Sequence, residues 1–339
     1  MTKAIVAEAL GKTYTRRKRK SGFWAGVRGY FSFESEEVPA VKSLSFSIER
    51  GESVGLIGEN GAGKSTTVKM LTGILVPSSG KVETLGVAPW KERRKLAQSI
   101  GVVFGQKPQI LWDIPARESF RLLKAMYAIP DDVYRFTFDE AADRLELGPF
   151  LDTPVRLLSL GQRMRCDLAA SLLHAPAVAF LDEPTIGLDV LVKERVREHL
   201  VEMRRRFGTT IVLTTHDLKD ISATCDRLLV LDRGELLYDG SREGFERRFA
   251  DERTLTLELD RDVDEETLRA VGLELAAEGA RITRDGARKL SIECPRATST
   301  PKVTALVLGR LPVRDLSLQG IEIDTIVTRL YRTTERAEA

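Results

Sequence analysis

Residues 58–65 read GENGAGKS and match the pattern GxxxxGK[ST]. The apolar stretch SVGLI (53–57) precedes them and a predicted helix, 64–71, follows, which is the strand–loop–helix setting that the pattern requires. Glycines let the backbone amides turn inward around an anion, and the helix N-terminus adds partial positive charge. A tight glycine-rich turn without a ligand is the alternative. The residues predicted to contact the phosphates of a nucleotide are Gly58, Asn60, Gly61, Ala62, Gly63, Lys64, Ser65 and Thr66.

Two carboxylates end a second apolar strand. Residues 177–181 read AVAFL, which is typical of a strand in a sheet covered on both faces, and Asp182 and Glu183 follow. We expect Lys64 to reach the β- and γ-phosphates, Ser65 and Asp182 to hold Mg²⁺, and Thr66 to bond the α-phosphate. Glu183 is placed to accept a proton from an attacking water. A pair that caps the next helix is the alternative interpretation.

A third motif, LSLGQ (158–162), opens a predicted helix over 161–174. Alone it indicates only a capped helix start. Together with the other two motifs it resembles the signature LSGGQ of the ABC ATPase family, with Leu160 in place of the first glycine. The resemblance implies that Ser159, Gly161 and Gln162 bind the γ-phosphate of ATP held by the opposite subunit. Two copies of the chain would then clamp ATP between them.

Three more positions match motifs of that family in the expected order. Gln106 ends GVVFGQ and resembles the Q-loop glutamine, which implies that it senses Mg²⁺ and the attacking water; an ordinary solvent-exposed glutamine is the alternative. Asp189 resembles the D-loop aspartate, which implies a place at the dimer interface. His216, after TIVLTT, resembles the switch histidine that contacts the γ-phosphate. The other two histidines, His174 and His199, are predicted to be structural.

The aromatic residue expected to stack on adenine is less sharply defined. Tyr14, in GKTYT, matches the family's aromatic position. An insertion, 15–38, separates it from the next predicted strand, 41–49, and we expect that insertion to form a loop or hairpin. The alternative rings within it are Phe23, Trp24, Tyr30, Phe31 and Phe33.

The order of elements predicts an α/β fold with an appended α+β domain. The elements predicted in this region include strands over 3–10 and 210–214, a helix whose first residue is Pro115, and helices over 139–147 and 190–207. Apolar strands alternate with helices from residue 3 to residue 248, which favours a mainly parallel sheet. The resemblance implies a P-loop NTPase fold here: a RecA-like core, an antiparallel β subdomain and an α-helical subdomain. We therefore predict an ABC ATPase domain over 1–248, which includes the 15–38 insertion, and a small accessory domain over 249–339 with a regulatory or dimer-stabilising role.

Composition limits the classes of function. The 339 residues carry 52 Lys and Arg against 50 Asp and Glu, and this near-balance argues against a general nucleic-acid binder. The cysteines Cys166, Cys225 and Cys294 are far apart and are expected to be reduced and buried. We find no secretory signal and no apolar run of about 20 residues that could span a bilayer. If cargo crosses a membrane, another polypeptide forms the path.

The resemblance implies an ATPase that uses ATP and Mg²⁺, pairs with a second copy of itself, and sits on the cytoplasmic face of the cell membrane through permease subunits. The stretches GENGAGKSTT, KMLTGIL and DEPTIGLD look closest to ATPases of type-2 exporters. The alternative is a soluble ABC ATPase that acts on ribosomes or DNA. A single cassette without a long coiled-coil insertion disfavours it. A scaffold that only binds nucleotide conflicts with the presence of both Glu183 and His216.

Two surface stretches have open interpretations. Ile110, Leu111, Trp112 and Ile114 follow Gln106 and are expected to line a groove for a permease helix, with core packing as an equal alternative. The basic run 16–20 precedes Phe23 and Trp24. A solvated loop is favoured there over an anionic lipid surface.

Overall fold

The computed structural model describes residues 2–17, 35–105, 108–249, 252–295 and 298–320. The chain divides into two compact units, Met1–Arg242 and Glu243–Ala339. Strands of the first unit are β1 (Lys3–Arg17), β2 (Ser35–Glu49), β3 (Ser53–Gly58), β4 (Ser79–Thr84), β5 (Ile100–Phe104), β6 (Val178–Asp182), β7 (Thr210–Thr214), β8 (Arg227–Asp232) and β9 (Glu235–Ser241). Its helices are α1 (Lys64–Leu71), α2 (Arg93–Ala97), α3 (Ala116–Met126), α4 (Asp131–Arg144), α5 (Leu160–Leu172), α6 (Val190–Phe207) and α7 (Leu218–Thr224), and α8 (Arg242–Phe249) begins where the first unit ends.

A six-stranded sheet with the order β5-β6-β7-β3-β8-β9 forms the centre of the first unit. All neighbouring pairs are parallel except β8 and β9. Its inner strands are apolar runs because both of their faces are covered, and Val54, Val178, Phe180 and Leu213 are fully buried. Since parallel strands end at one edge of a sheet, β3, β6 and β7 deliver the loops that follow them to the same place.

A second, antiparallel sheet has the order β2-β1-β4. Its apolar side chains share one hydrophobic core with α1 and the central sheet. The prediction of a short strand over 3–10 was too short, because β1 continues to Arg17 and pairs there with Ser35. The parts of the predicted insertion that the structure describes are therefore strand. Residues 18–34, with the five alternative aromatics and most of the basic run, lie outside the described residues.

Helices α3 and α4 both pack against α5. Pro115 was predicted as the first helical residue, but it precedes α3 as the N-cap. The predicted helix over 139–147 begins earlier, at Asp131, directly after Pro130. Proline is suited to both places because its fixed φ leads into a helix and it needs no hydrogen-bond partner for its nitrogen.

The second unit has the order β10-α9-β11-β12-α10-β13 and a four-stranded antiparallel sheet, β11-β12-β10-β13. This is the split βαβ arrangement of ferredoxin-like folds. Alternate strand residues such as Leu255, Leu257 and Ile292 pack on α9 and α10 and form a separate core. The stretch 323–332, which the sequence predicts to be part of this unit, lies outside the described residues. The elements are β10 (Glu252–Leu259), α9 (Glu265–Ala277), β11 (Arg281–Arg284), β12 (Lys289–Pro295), α10 (Thr300–Arg310) and β13 (Val313–Gly320).

The architecture confirms the predicted α/β fold with an additional α+β unit. All three cysteines are buried and free, as predicted. Within the described ranges, no helix combines the length and the apolar composition needed to cross a membrane.

Candidate functional site

The glycine-rich loop closes tightly around one lysine. Gly61 and Gly63 have φ values of +90° and +99°, which glycine adopts without steric cost. A Cβ atom on Gly63 would lie 2.6 Å from the carbonyl oxygen of Ala40, so no larger residue fits. Lys64 Nζ donates hydrogen bonds to the carbonyl oxygens of Gly58 (2.6 Å) and Glu59 (3.0 Å). The ammonium group is thus held at the mouth of the loop, above the first turn of α1.

Burial lowers the pKa of Lys64, and the carboxylates of Glu183, Asp182 and Glu59 oppose this shift. A partly desolvated cation attracts an anion more strongly than a solvated one does, because water screens it less. The lysine is therefore suited to bind phosphate oxygens.

A cavity of about 320 Å³ lies over this loop. It brings together the ends of β3, β6 and β7, as the order of the parallel strands requires. Gly58 and Ala62 belong to the loop but do not line the cavity, and Ala62 is 3% exposed. The lining residues are Ala40, Glu59, Asn60, Gly61, Gly63, Lys64, Ser65, Thr66, Asp182, Glu183 and His216.

Asp182 is oriented from two sides. The Ser65 hydroxyl donates to its Oδ2 at 3.0 Å, and the hydroxyl of Thr214 donates a short hydrogen bond to its Oδ1. Thr214 ends β7 and is fully buried. Thr214 was not predicted from the sequence, although its place at the end of an apolar strand beside the carboxylate strand is a signal that points to it.

Glu183 and His216 both line the cavity and contact each other. The His216 Nε2 lies 3.3 Å from Glu183 Oε1, and the His216 amide donates to Oε2 at 3.4 Å. Burial raises the pKa of Glu183, and the contacts with His216 oppose the rise. A carboxyl with a raised pKa is a better proton acceptor once it is ionised. Glu183 also has a positive φ of 57°, so the chain turns sharply at this point.

The alternative role of Asp182 and Glu183 as helix caps does not fit the structure. The cap of the next helix, α6, is Asp189, whose carboxylate accepts a hydrogen bond from the Val192 amide at 3.0 Å. Both earlier carboxylates instead line the cavity.

Ser159, Gly161 and Gln162 lie at the start of α5 and do not line the cavity of their own chain. Ser159 and Gln162 form a capping box, in which each side chain accepts a hydrogen bond from the other's backbone amide, at 3.2 and 2.9 Å. Ser159 and Asp189 are both exposed. The residues that resemble the signature and the D-loop are thus not among those that line the cavity around Lys64 of the same chain.

The remaining predicted site residues have mixed positions. Tyr14 stands on β1 opposite Val38, is 41% exposed and is not among the residues that line the cavity. Lys12 Nζ lies 5.6 Å from the centre of its ring. Gln106 lies outside the described residues. Ala40, which was not predicted from the sequence, lines the cavity, and its carbonyl oxygen restricts position 63 to glycine.

Comparison with known proteins identifies the family. Residues 41–186 match the ABC transporter family. The ABC transporter ATP-binding protein NatA of Bacillus subtilis is 30% identical over 213 residues, which cover 63% of this chain and 86% of that protein. The chain is an ATP-binding protein of the ABC transporter family. The energy-coupling factor transporter ATP-binding protein EcfA3 of Clostridium perfringens is 34% identical over 61% of the chain and 74% of its own length.

A solved structure of an ABC ATPase shares the fold. The ATP-binding cassette MJ0796, a dimer in a post-hydrolysis state with ADP and Pi, superposes with a TM-score of 0.58 at 26% identity. The match covers 70% of this chain and 98% of the cassette. This ABC protein is accordingly an ATPase, and its relatives favour transport over the alternative roles on ribosomes or DNA.

Proposed function

We propose that two copies of this ABC ATPase close around ATP, with Lys64 of one copy and Ser159 of the other on the same nucleotide, and that hydrolysis reopens them to drive export through a membrane permease. The observation that carries the proposal is the separation of the two half-sites within one chain. The cavity around Lys64 has no lining residue from the start of α5, while Ser159 is exposed at the tip of a 13-residue helix. A helix N-terminus of this length attracts an anion.

The residues around Asp182 fit a magnesium ion. In the ranges that the structure describes, no group of three His, Cys, Asp or Glu side chains could hold a metal. Ser65 and Asp182 are instead two hard oxygen donors in direct contact, and Mg²⁺ in nucleotide sites takes few protein ligands beside phosphate oxygens and water. When bound there, Mg²⁺ would neutralise phosphate charge. Gln106 is a further proposed ligand.

Each residue of the cavity has a distinct task in this proposal. Lys64 and the loop amides hold the phosphates in place. Glu183 takes a proton from the attacking water, and His216 positions that carboxylate through its two contacts and faces the γ-phosphate. Tyr14 remains the proposed adenine platform.

A dimerisation experiment tests the proposal. Glu183→Gln removes the proton acceptor but keeps the shape of the site, so the variant should bind ATP, hydrolyse it at least about 100-fold more slowly, and dimerise with ATP. Light scattering coupled to gel filtration measures the mass. The double variant Glu183→Gln/Ser159→Arg should stay monomeric, because a bulky cation would block the partner's nucleotide. A Glu183→Gln protein that remained monomeric at saturating MgATP would contradict the proposal.

The permease contact is proposed for the residues that follow Gln106. The structure divides that stretch: Ile110 is 4% exposed and packs in the core, whereas Leu111 and Trp112 are 48% and 44% exposed. Exposed neighbouring apolar side chains are suited to receive another helix. Through this contact the ATPase would lie on the cytoplasmic face of the membrane.

Export is proposed from the resemblance of GENGAGKSTT, KMLTGIL and DEPTIGLD to type-2 exporters. Inside-out vesicles that contain the ATPase and its copurified permease provide a test. With ATP outside and a metabolite extract, an exporter accumulates a compound in the lumen, and vesicles with Glu183→Gln do not. Loss of a compound from preloaded vesicles would instead indicate import.

A further inference from the structure

Leu160, which departs from the family signature, lies beside the loop 187–189 of its own chain, which resembles the D-loop. Leu160 is the first residue of α5 and follows Ser159 directly. A Cβ atom on Gly187 would lie 2.9 Å from Leu160 Cδ2 and 3.3 Å from Cγ, so the leucine side chain occupies the space beside that glycine. Gly161 is equally close, because a Cβ atom there would lie 3.0 Å from the Gly187 carbonyl oxygen. The start of α5 thus rests on the backbone of the D-loop.

Gly187 belongs to a tight turn that begins at the catalytic carboxylate. The Ile186 amide donates to the Glu183 carbonyl at 3.4 Å, and the Leu188 amide donates to the Thr185 carbonyl at 3.2 Å. A glycine is required at 187 because its φ is +73°. Five residues separate Glu183 from Asp189.

Buried ionic contacts hold this turn rigidly. The Thr185 hydroxyl donates to Asp220 at 2.5 Å, and Arg197 of α6 donates to the same carboxylate at 2.8 Å. Thr185 and Asp220 are 3% and 1% exposed. The turn is therefore tied to α6 and α7 at Thr185, two residues after Glu183.

We propose that Leu160 is a positioning residue that couples the two ATP sites of the closed dimer. The inference rests on the proposed dimer, in which Ser159 of one subunit contacts the nucleotide held by its partner. Leu160 then joins that serine, through Gly187, to Glu183 in the other site. Whether one site holds ATP or its hydrolysis products thereby affects the position of Glu183 in the other site. A glycine at position 160 cannot make the contact on which this coupling depends.

The concentration dependence of steady-state ATPase activity tests this coupling. With two linked sites, the wild-type Hill coefficient should lie between 1 and its maximum of about 2. Leu160→Ala and Leu160→Gly should lower it to about 1, and Leu160→Met, which keeps the volume, should retain it. Leu157→Ala, at an exposed leucine three residues earlier, is the matched control and should behave as wild type.

Two further measurements separate the possible outcomes. Thermal unfolding should show that the Leu160 variants are folded, which is expected because the side chain is 37% exposed. ATP-driven dimerisation in the Glu183→Gln background tests the dimer itself. If the protein dimerises but the wild-type Hill coefficient is 1, the coupling is overturned and the proposed dimer stands. The same conclusion follows if the protein dimerises and Leu160→Ala has the wild-type Hill coefficient. Absence of dimerisation would overturn both.

Discussion

The Ser65 hydroxyl donates a hydrogen bond to Asp182 across 3.0 Å and so joins the first turn of α1 to the end of β6. Thr214 fixes the other carboxylate oxygen from β7. The carboxylate therefore has one orientation before any ligand binds, with its two partners drawn from two separate stretches of chain. Such preorganisation matters because a metal bound to a misdirected carboxylate would place the phosphates wrongly.

Removal of the Thr214 hydroxyl should weaken the proposed magnesium site. Loss of a group that orients a metal ligand typically costs about 10- to 100-fold in metal affinity or activity. We therefore expect Thr214→Val to raise the Mg²⁺ concentration for half-maximal ATPase activity by about that factor. Thr210→Val, at the other end of β7, is the control, since Thr210 is also buried but bonds the Gly51 amide. Equal Mg²⁺ dependence in both variants would argue against the assignment.

The decrease of ATPase activity at low pH should follow the protonation of the Glu183 carboxylate. The carboxylate must be ionised to accept a proton, and burial raises its pKa, so activity should be lost as the pH falls through a value above that of an ordinary glutamate. His216 opposes that rise. His216→Ala should therefore move the acid limb of kcat to higher pH, besides its effect on the rate. A pH series of kcat with saturating MgATP measures this, and His199→Leu serves as a histidine variant away from the cavity. An unmoved limb in His216→Ala would exclude His216 as the partner of this carboxylate.

The parts of the fold that the sequence predicted best are those with one dominant physical cause. The buried strand β7 and the amphipathic helix α6 have the predicted ends, because burial dictates their composition. The continuation of β1 to Arg17 was missed, since residues 11–17 read GKTYTRR and show no apolar alternation. Backbone pairing with β2 forms that part of the strand, and such pairing leaves little trace in composition.

A similar distinction applies to the site. Lys64, Asp182, Glu183 and His216 were predictable because phosphate and proton chemistry requires particular residue types after particular strands. Ala40 contributes through a backbone carbonyl, which any residue could supply. The contact of Leu160 with the D-loop depends on the packing of two separate loops, and no local pattern reports it.

His199 should make the first unit less stable in acid. It is 1% exposed, neither ring nitrogen has a hydrogen-bond partner among the described residues, and burial lowers its pKa to about 4. An unfolded histidine has a pKa of about 6.5, so between these values the unfolded chain binds the proton and stability falls as the pH falls. The loss in the free energy of unfolding approaches about 3 kcal/mol at pH 4, because each pKa unit corresponds to about 1.4 kcal/mol.

Replacement of His199 by leucine should remove that part of the pH dependence. Burial also lowers the pKa of His174 to about 4, so this histidine should keep the rest of the pH dependence of stability in the variant. Denaturant unfolding at pH 5 and pH 8 measures the difference, and tryptophan fluorescence reports the first unit because all three tryptophans, at 24, 90 and 112, belong to it. We expect His199→Leu to gain stability relative to wild type at pH 5 more than at pH 8. An identical pH dependence in both proteins would show that His199 is not desolvated.

The exposed ring of Trp112 should matter only when the permease is present. The guanidinium of Arg163, on the signature helix α5, lies 5.0 Å from the centre of this ring, and the Trp112 carbonyl accepts a hydrogen bond from the Arg156 amide at 2.9 Å. A helix that packed on Trp112 would therefore act on the element that carries Ser159. We expect Trp112→Ala to lower the ratio of permease-stimulated to basal ATPase activity several-fold. Val201→Ala, which truncates an apolar side chain of similar exposure on α6, should leave the ratio unchanged. Crosslinking from a cysteine at position 112 in the assembled complex gives an independent readout. If no permease peptide were captured and Trp112→Ala kept the wild-type ratio, the permease would have to contact a different surface.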